Sequence, residues 1–403
     1  MLPLRKSALL VLLGTALVTC PGCWDRREIE SLGFVMAVGI DKPEEDGRIQ
    51  LTVHVARPFA LVGSDKGPSP EKPFWMTSST GYTTFDAMRN LDYQSPRRLF
   101  WAHNNFIVIG EEFARNGIRD ALDAFYRNPE GRGSSRIIIV KGASARDFLQ
   151  CEFELERMPA EGYMGVMLAA EEGLSTIVDV QLHEFLQMLE NEGSEPFASC
   201  ARIVARRQAD GIADDMPKDE LRVSATLAGA AVFKNDRLVG WLDETETRGL
   251  NWVRDKVKSG IVLIRQPVDE SRFAGLEILR SRSEVNAEIG EGKAVASVRI
   301  DVEANLGDVQ GFIDLTKSDT VWTMMEERMA GVIGSEVMAA VARARDLDVD
   351  VFGFGGTIGR KDPKTWAEVK DQWGRLFRDI NVIVEVRARL RRPGLVLRSV
   401  RIK

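Results

Sequence analysis

Two long stretches of alternating side chains, joined by a glycine turn, constrain the fold of this chain more than any other sequence feature. Residues 282–309, RSEVNAEIGEGKAVASVRIDVEANLGDV, alternate apolar and polar residues on both sides of Gly290 to Gly292. A period of two is typical of half-buried strands, so this segment predicts two long paired strands. Residues 318–348 predict the longest helix, with the apolar stripe Trp322, Met325, Met329, Ile333, Val337 and Val341.

Shorter patterns extend this interpretation over the rest of the chain. Apolar runs at 104–110 and 136–142 flank a segment with helical spacing at 118–128, which predicts a strand–helix–strand unit. Residues 227–243 predict a hairpin that turns at Asn235, because Asn tolerates positive φ. The fold class that we predict is α+β, with mixed sheets and packed helices in two to three subdomains. The predicted segments are a lipoprotein signal peptide at 1–22, an N-terminal domain at 23–197, a middle subdomain at 198–280 and a C-terminal α+β domain at 281–403.

The charge balance argues against a protein that binds nucleic acid. The chain has 403 residues, of which 28% are charged, and a formal net charge of −6. Such a balance offers phosphate no bulk attraction. No segment reaches about 18 uncharged apolar residues, so the sequence predicts no transmembrane helix.

The first residues have the pattern of a signal peptide. Arg5 and Lys6 precede Ala8–Val18, a run without any charge. A helix of that length would span about 16 Å, roughly half of a hydrocarbon core, which is too short for a membrane span. The body of the protein is therefore expected to be exported. Cleavage after residue 22 would remove Arg5 and Lys6 and take the net charge from −6 to −8.

Two cysteines, Cys20 and Cys23, follow the apolar run in the stretch LVTCPGCWDRREIE. A redox dithiol would need a thioredoxin-like βαβ unit, and no strand precedes this pair. A zinc site would need two further ligands. The remaining candidates offer no ligand spacing: Cys151, Cys200, His54, His103 and His183. We interpret the stretch as a lipobox in which diacylglycerol is attached to Cys23, with Cys20 as the alternative position. Ordinary signal-peptide cleavage that leaves both cysteines unmodified is the remaining alternative.

Four blocks, in order along the chain, carry a family resemblance. They are GCWDRREIESLGFVMAVGIDK (22–42), GYTTFDAMRNLDYQSPRRLFWAHNNFIVIGEEFARNGIRDALDAFYRNPEGR (81–132), GAAVFKNDRLVGWLDETETRGLNWV (229–253) and DVFGFGGTIGRKDPKTWAEVKDQW (350–373). Together they resemble the Ger(x)C family, the C subunits of nutrient germinant receptors of spore-forming bacteria. In that family the cysteine that precedes Trp-Asp-Arg is acylated, and this match falls on Cys23.

The resemblance implies a lipid-anchored, non-enzymatic subunit of a membrane germinant receptor complex that is required for nutrient-triggered spore germination. Its implied partners are two integral membrane subunits and membrane lipid, on the outer face of the cell membrane or the spore inner membrane. Apart from the acyl lipid on Cys23, no cofactor, metal or nucleic acid is expected. The alternative function is an extracytoplasmic solute-binding lipoprotein. Such proteins usually have two matched lobes with repeated βα units, a regularity that this sequence lacks.

Two clusters of arginine and tryptophan are candidate interfaces with a partner or the membrane, because both residue types are enriched at interface hot spots. Trp24, directly after an acylated cysteine, would lie at headgroup depth, where indole is favoured. The alternative for the first cluster is a solvated linker. For the second, the alternative is a local core in which arginines pair with carboxylates. The residues are Trp24, Arg26 and Arg27 in the first cluster and Arg97, Arg98 and Trp101 in the second.

Other features leave alternatives open. The glycine-rich segment 352–362 could cradle a phosphate or form a bend before a helix near Pro363, and the acidic run before it favours the bend. The strand predicted at 382–391 has a cationic outer face, which could be solvated or meet anionic lipid or an acidic partner. Cys151 and Cys200 could form a disulfide or remain two buried thiols. With no Ser/His/Asp arrangement or nucleophile elbow, the sequence predicts no enzyme.

Overall fold

The computed structural model describes residues 28–42, 47–57, 72–151, 153, 155–205, 223–311 and 319–391. Several predicted features lie outside these residues: the signal peptide, Cys20, Cys23, Trp24, Arg26, Arg27 and a strand predicted at 395–402. The described part of the chain is built around two sheets, with helices packed against both.

The first sheet is mixed, and its central strands are parallel. Its strands are β1 (Leu32–Asp41), β2 (Ile49–Ala56), β3 (Phe74–Gly81), β4 (Arg98–Phe100), β5 (Phe106–Gly110), β6 (Arg136–Val140), β7 (Phe197–Ala205), β8 (Val223–Lys234) and β9 (Arg237–Leu242). Their order in the sheet is β3-β2-β1-β5-β6-β7-β8-β9, and β4 lies beside the start of β1. The strands β1, β5, β6 and β7 run parallel to one another. On either side of them, β2, β3, β8 and β9 each pair antiparallel with the preceding strand of the sheet. The predicted hairpin is confirmed as β8–β9, with Asn235 at a φ of 55°.

Helices cover both faces of this sheet, which explains why its central strands are continuously apolar. They are α1 (Thr84–Asp92), α2 (Glu111–Asn116), α3 (Arg119–Arg127), α4 (Ala145–Leu149), α5 (Pro159–Gly173), α6 (Leu182–Glu190) and α7 (Glu244–Val253). On β5, Phe106 and Val108 pack towards α4 and α5, whereas Ile107 and Ile109 pack towards α1, α3 and α6. The predicted strand–helix–strand unit is confirmed, since α3 connects the parallel strands β5 and β6.

The second sheet contains the long paired strands that the alternation predicts. Its order is β10 (Ile261–Arg265), β11 (Phe273–Gly290), β12 (Lys293–Val309) and β13 (Asn381–Leu390), with β13 parallel to β12. Gly290 pairs with Lys293, and the two residues between them have positive φ, 52° at Glu291 and 75° at Gly292. This is the backbone of a two-residue hairpin turn whose twist matches the strands.

One long helix, α8 (Asp319–Asp346), packs on the inner face of the second sheet. Five members of the predicted stripe, from Met325 to Val341, are fully buried, and Trp322 is half-buried. Three short helices follow: α9 (Phe354–Lys361), α10 (Pro363–Val369) and α11 (Trp373–Arg378).

The predicted α+β class with mixed sheets is confirmed, in two domains. Residues 198–280, predicted as a middle subdomain, supply strands to both sheets, and the predicted segment boundaries stay predictions. Several elements were not predicted, among them β3, β7 and α5, and the segment 352–362, where the sequence favoured a bend, instead contains the helix α9. The sequence of β3 is rich in Thr and Ser, and the buried residues of α5 include glycine and alanine as well as large side chains, so neither has a clear apolar period.

Candidate functional site

The loop between α8 and α9 is organised by the buried carboxylate of Asp350, which is 3% exposed. Its oxygens accept hydrogen bonds from the backbone N–H groups of Gly353 and Gly355, each at 2.9 Å, and from Trp373 Nε1 at 3.2 Å. Burial is the largest influence and raises the pKa of the Asp350 carboxyl to about 6, although the N–H donors oppose it. A carboxylate of the chain itself thus occupies the N-terminal end of α9, where a phosphate would bind in the alternative interpretation.

The same loop joins the two domains through backbone contacts. The N–H of Glu195 donates to the carbonyl of Asp350 at 2.8 Å, and the N–H of Gly356 donates to the carbonyl of Gly193 at 2.9 Å. Gly193 has a φ of 91°, and a Cβ there would lie 2.7 Å from the carbonyl carbon of Gly355. Only glycine permits this approach, so the segment after α6 is held directly against the start of α9.

The hairpin turn between β8 and β9 docks on the same junction. The Glu195 carboxylate accepts a hydrogen bond from the Asn235 N–H at 2.7 Å. Lys234 forms an ion pair with Asp348, and Arg378 approaches the same carboxylate at 3.0 Å. Burial raises the pKa of the Glu195 carboxyl. The Lys234–Asp348 pair links the first sheet to the segment that follows α8.

A second set of contacts fastens α7 to α8 around the buried carboxylate of Glu336, whose side chain is 5% exposed. Glu336 Oε2 accepts hydrogen bonds from Arg248 Nε and from Trp252 Nε1, each at 2.9 Å, and Oε1 accepts a second bond from Arg248. Gly249 lies at the crossing, where a Cβ would clash with the Glu336 carbonyl oxygen and come within 2.9 Å of the Ala340 side chain. The close approach of these helices brings the carboxylate and its donors together.

Several cavities lie beside this junction. One, of about 410 Å³, is lined by the segment after α6, the β8–β9 turn and the helices α10 and α11, including Trp366 and Trp373. Another, of about 390 Å³, lies between α6 and residues 177–181, with Arg254 in its wall. Among the described residues, no group of three His, Cys, Asp or Glu side chains could hold a metal ion. The two sheets differ in strand order and direction, so the domains are not the matched lobes expected of the solute-binding alternative.

The members of the predicted cluster Arg97, Arg98 and Trp101 differ in their exposure to solvent. Trp101 is buried, 7% exposed, and its ring packs edge-on against Phe125 with centroids 6.0 Å apart. Arg97 and Arg98 are exposed, and Arg98 pairs with Glu130 at 2.6 Å. Arg97 and Arg98 are therefore the members of this cluster that reach the surface.

Cys151, Cys200 and His54 are buried side chains. Cys151 and Cys200 are free, buried thiols, and burial raises the pKa of each to about 11. His54 is fully buried against the Phe74 ring, with centroids 4.7 Å apart, and burial lowers its pKa to about 4. Of the two alternatives for the cysteine pair, the structure has the free thiols.

Asp350 and Glu336 are junction residues that sequence reasoning missed. Neither residue belongs to a paired carboxylate motif, and both are buried. For Asp350 a signal exists, because an Asp three residues before Gly-Phe-Gly-Gly resembles the start of a capped helix. For Glu336 the signal is weaker: it is the one carboxylate between the apolar positions Ile333 and Val337.

Comparison with known proteins identifies the chain. Residues 25–203 match the family model of the spore germination protein N-terminal domain, and residues 228–394 match that of the spore germination B3/GerAC-like C-terminal domain. These matches cover most of the chain and both domains. The chain belongs to the Ger(x)C family of spore germination proteins.

Individual relatives match over nearly their whole length. Spore germination protein KC of Bacillus subtilis (strain 168) is 23% identical over 397 residues, which are 97% of each chain. The putative spore germination protein YfkR of the same strain is 25% identical over 380 residues, 94% of each chain. The crystal structure of the GerBC protein matches with a TM-score of 0.55 and 16% identity, covering 88% of this chain and 97% of GerBC. The last match supports the fold.

No helix in the described part of the chain combines the length and apolar character needed to span a bilayer.

Proposed function

We propose that this protein is a lipid-anchored, non-enzymatic subunit of a membrane germinant receptor complex and acts in nutrient-triggered spore germination. The observation that carries the proposal is the match of both domains to spore germination protein families. Relatives that match over 87% or more of this chain are named as spore germination proteins. The position of Cys23, directly after a short apolar leader and before Trp-Asp-Arg, supports attachment by acyl chains.

The contacts at the domain junction fit a subunit that acts as a rigid body and binds other subunits. Glu336 of α8 accepts hydrogen bonds from Arg248 and Trp252 of α7, and the carbonyl of Asp350 accepts one from the N–H of Glu195. Such contacts favour a rigid two-domain body rather than two lobes that close on a ligand. We propose that this body lies on the outer face of the membrane and contacts two integral membrane subunits. The candidate residues for an interface with a partner or the membrane are Trp24, Arg26, Arg27, Arg97 and Arg98. Trp101 is buried, and its backbone N–H donates to Glu130, which pairs with Arg98.

Metabolic labelling with a fatty acid tests the anchor. We expect label on the wild-type protein and on a Cys20→Ala variant, but none on Cys23→Ala, because the thiol of Cys23 is the proposed acylated group. The Cys20→Ala variant is the matched control, since both cysteines lie in the same stretch. Label that persists on Cys23→Ala and disappears on Cys20→Ala would place the anchor at Cys20, and an unlabelled wild type would overturn the anchor.

Deletion of the gene tests the receptor role separately. We expect spores without this protein to lose the response to its nutrient germinant while still germinating with a chemical trigger that bypasses receptors. Co-purification of the tagged full chain with two integral membrane proteins is expected from solubilised spore membranes. Spores that respond to every nutrient without the protein would contradict the proposed role.

A further inference from the structure

Basic residues gather at the edge of the first sheet where several of its strands begin. At this edge β1 starts beside β4, with Leu32 opposite Arg98, and β2 ends against β3, with Ala56 opposite Phe74. The strands β5 and β6 begin on the same side. Five basic residues next to these strand ends, here called the basic rim, are Arg57, Lys72, Arg97, Arg98 and Arg132.

The basic rim keeps a positive excess. Three acidic residues, Glu28, Glu30 and Glu130, lie at the same edge against the five basic ones, and Glu130 pairs with Arg98 at 2.6 Å. Among the described residues, Arg97 and Arg132 are exposed and have no ion-pair partner. The excess stands out because the whole chain is acidic, with a net charge of −6.

The opposite edge of the sheet, where β1 and β5 end, is electrostatically different. Its charges are largely paired: Lys42 with Glu112 at 3.3 Å and Arg115 with Glu111 at 2.6 Å. A negatively charged surface would therefore attract one edge of the sheet and leave the other largely indifferent.

The proposed lipid anchor places the basic rim near a bilayer. Cys23 stands five residues before Glu28, the first described residue, and a chain of five residues spans at most about 17 Å. Glu28 leads directly into β1, whose first residue pairs with Arg98. Anionic headgroups attract basic residues within about a Debye length, which is about 10 Å at 0.1 M salt. The tether is short enough to let the rim enter that range.

We propose that the basic rim is a membrane-facing surface that binds anionic phospholipid headgroups and orients the first sheet with its strand-start edge on the bilayer. The orientation rests on the proposed acylation of Cys23, whereas the affinity of the rim for anionic lipid does not. The acidic body is repelled by the same lipids, so the rim selects one orientation from those that the tether permits.

Site-directed fluorescence on the full chain tests the orientation. Ser134→Cys, beside Arg132, and Glu112→Cys, at the opposite edge, each carry one probe, and the strand between the two edges separates them by roughly 20 Å. The native thiols Cys151 and Cys200 are buried and compete little for the label. The acylated protein is reconstituted into phosphatidylcholine vesicles, with or without phosphatidylglycerol, that contain a lipid with a spin-labelled headgroup.

With phosphatidylglycerol present, we expect strong quenching at position 134, little at position 112, and a loss of the difference at high salt. The charge reversal R97E/R132E should abolish the quenching at position 134. The control K364E/R375E changes two exposed basic residues of the other domain by the same charge and should preserve it. Equal quenching at both positions, or quenching that is insensitive to R97E/R132E, would overturn the proposed surface.

The intact mass of the purified protein shows separately whether an acyl group is attached. If no acyl group is found, the proposed anchoring is wrong, and the rim is tested by co-sedimentation of the full chain with phosphatidylglycerol vesicles. Because each basic residue near an anionic surface strengthens binding about fivefold, R97E/R132E should weaken it at least about 25-fold. Binding that is unchanged in this variant would overturn the rim itself.

Discussion

Arginine–carboxylate pairs occur in two different settings in this protein, the domain junction and the outer face of the second sheet. At the junction, the side chain of Glu336 is 5% exposed and lies between Arg248 and Trp252. On the sheet, the side chain of Glu385 is 48% exposed and pairs with Arg387 at 2.6 Å and Arg299 at 3.4 Å. The chemistry is the same, and the access of water differs.

Burial changes what such a pair does for the fold. An exposed pair is screened by water and salt, and its contribution to stability is small. A buried pair costs much desolvation to form, but removing one partner leaves an uncompensated charge away from water. The junction therefore depends on each of its buried partners, whereas the sheet surface tolerates the loss of any one. The cationic outer face predicted for 382–391 includes such exposed pairs, which fits a solvated face.

The largest effect is expected from Glu336→Ala at the junction. The variant leaves the Arg248 guanidinium and the Trp252 N–H without their acceptor, and loss of about 3–5 kcal/mol of unfolding free energy is expected. Urea denaturation of the full chain measures this loss. Glu385→Ala removes a carboxylate of the same kind from the exposed face and should leave the denaturation midpoint close to that of the wild type. Equal losses in the two variants would contradict the comparison.

A smaller, pH-dependent effect is expected at Asp350. Its pKa is about 6 in the folded protein and 3.8 in the unfolded chain, so the folded state binds the proton more tightly. The resulting stabilisation is complete below about pH 4 and is lost as the pH rises through about 6, a change on the order of 3 kcal/mol.

Asp350→Asn cannot titrate and should lack this loss, so the free energies of unfolding of the two proteins, compared from about pH 4 to 7, should diverge. Asp371 is exposed and lines the cavity of about 410 Å³ that Asp350 also lines, so Asp371→Asn is the control for removing one carboxylate. Parallel curves for wild type and Asp350→Asn would show that the Asp350 carboxyl does not titrate in this range.

The smallest effect is expected from two glycine substitutions in helices. Gly249→Ala places a Cβ against the Glu336 carbonyl at the α7–α8 crossing and should cost about 1–3 kcal/mol, because backbone must move. Gly334→Ala in α8 meets nothing within 4 Å and should stabilise by about 0.4–1 kcal/mol, through helix propensity and reduced freedom of the unfolded chain. Thermal unfolding of both variants measures the difference. Destabilisation by Gly334→Ala, or none by Gly249→Ala, would contradict the packing at this crossing.

The periodic spacing of apolar residues predicted the strands and helices that bury one face or both faces. The alternation of 282–309 predicts β11 and β12, and the spacing from Met325 to Val341 predicts α8, because a side chain repeats its environment every two or three to four residues. The elements without a clear period, β3 and α5, could not be found in this way. The family resemblance was also readable, because its four blocks are local stretches of sequence.

The sequence by itself therefore determined the α+β class, most strands and helices, and membership of the Ger(x)C family. Only the tertiary structure decided which charges are buried. Glu336 meets Arg248 and Trp252 across 84 to 88 residues of chain, and no local pattern encodes that crossing. It likewise placed Trp101 in the core while leaving Arg97 exposed, although the two are near neighbours in sequence. The physical reason is that local periodicity specifies which face of an element is apolar, whereas burial of a charge depends on which distant element covers it.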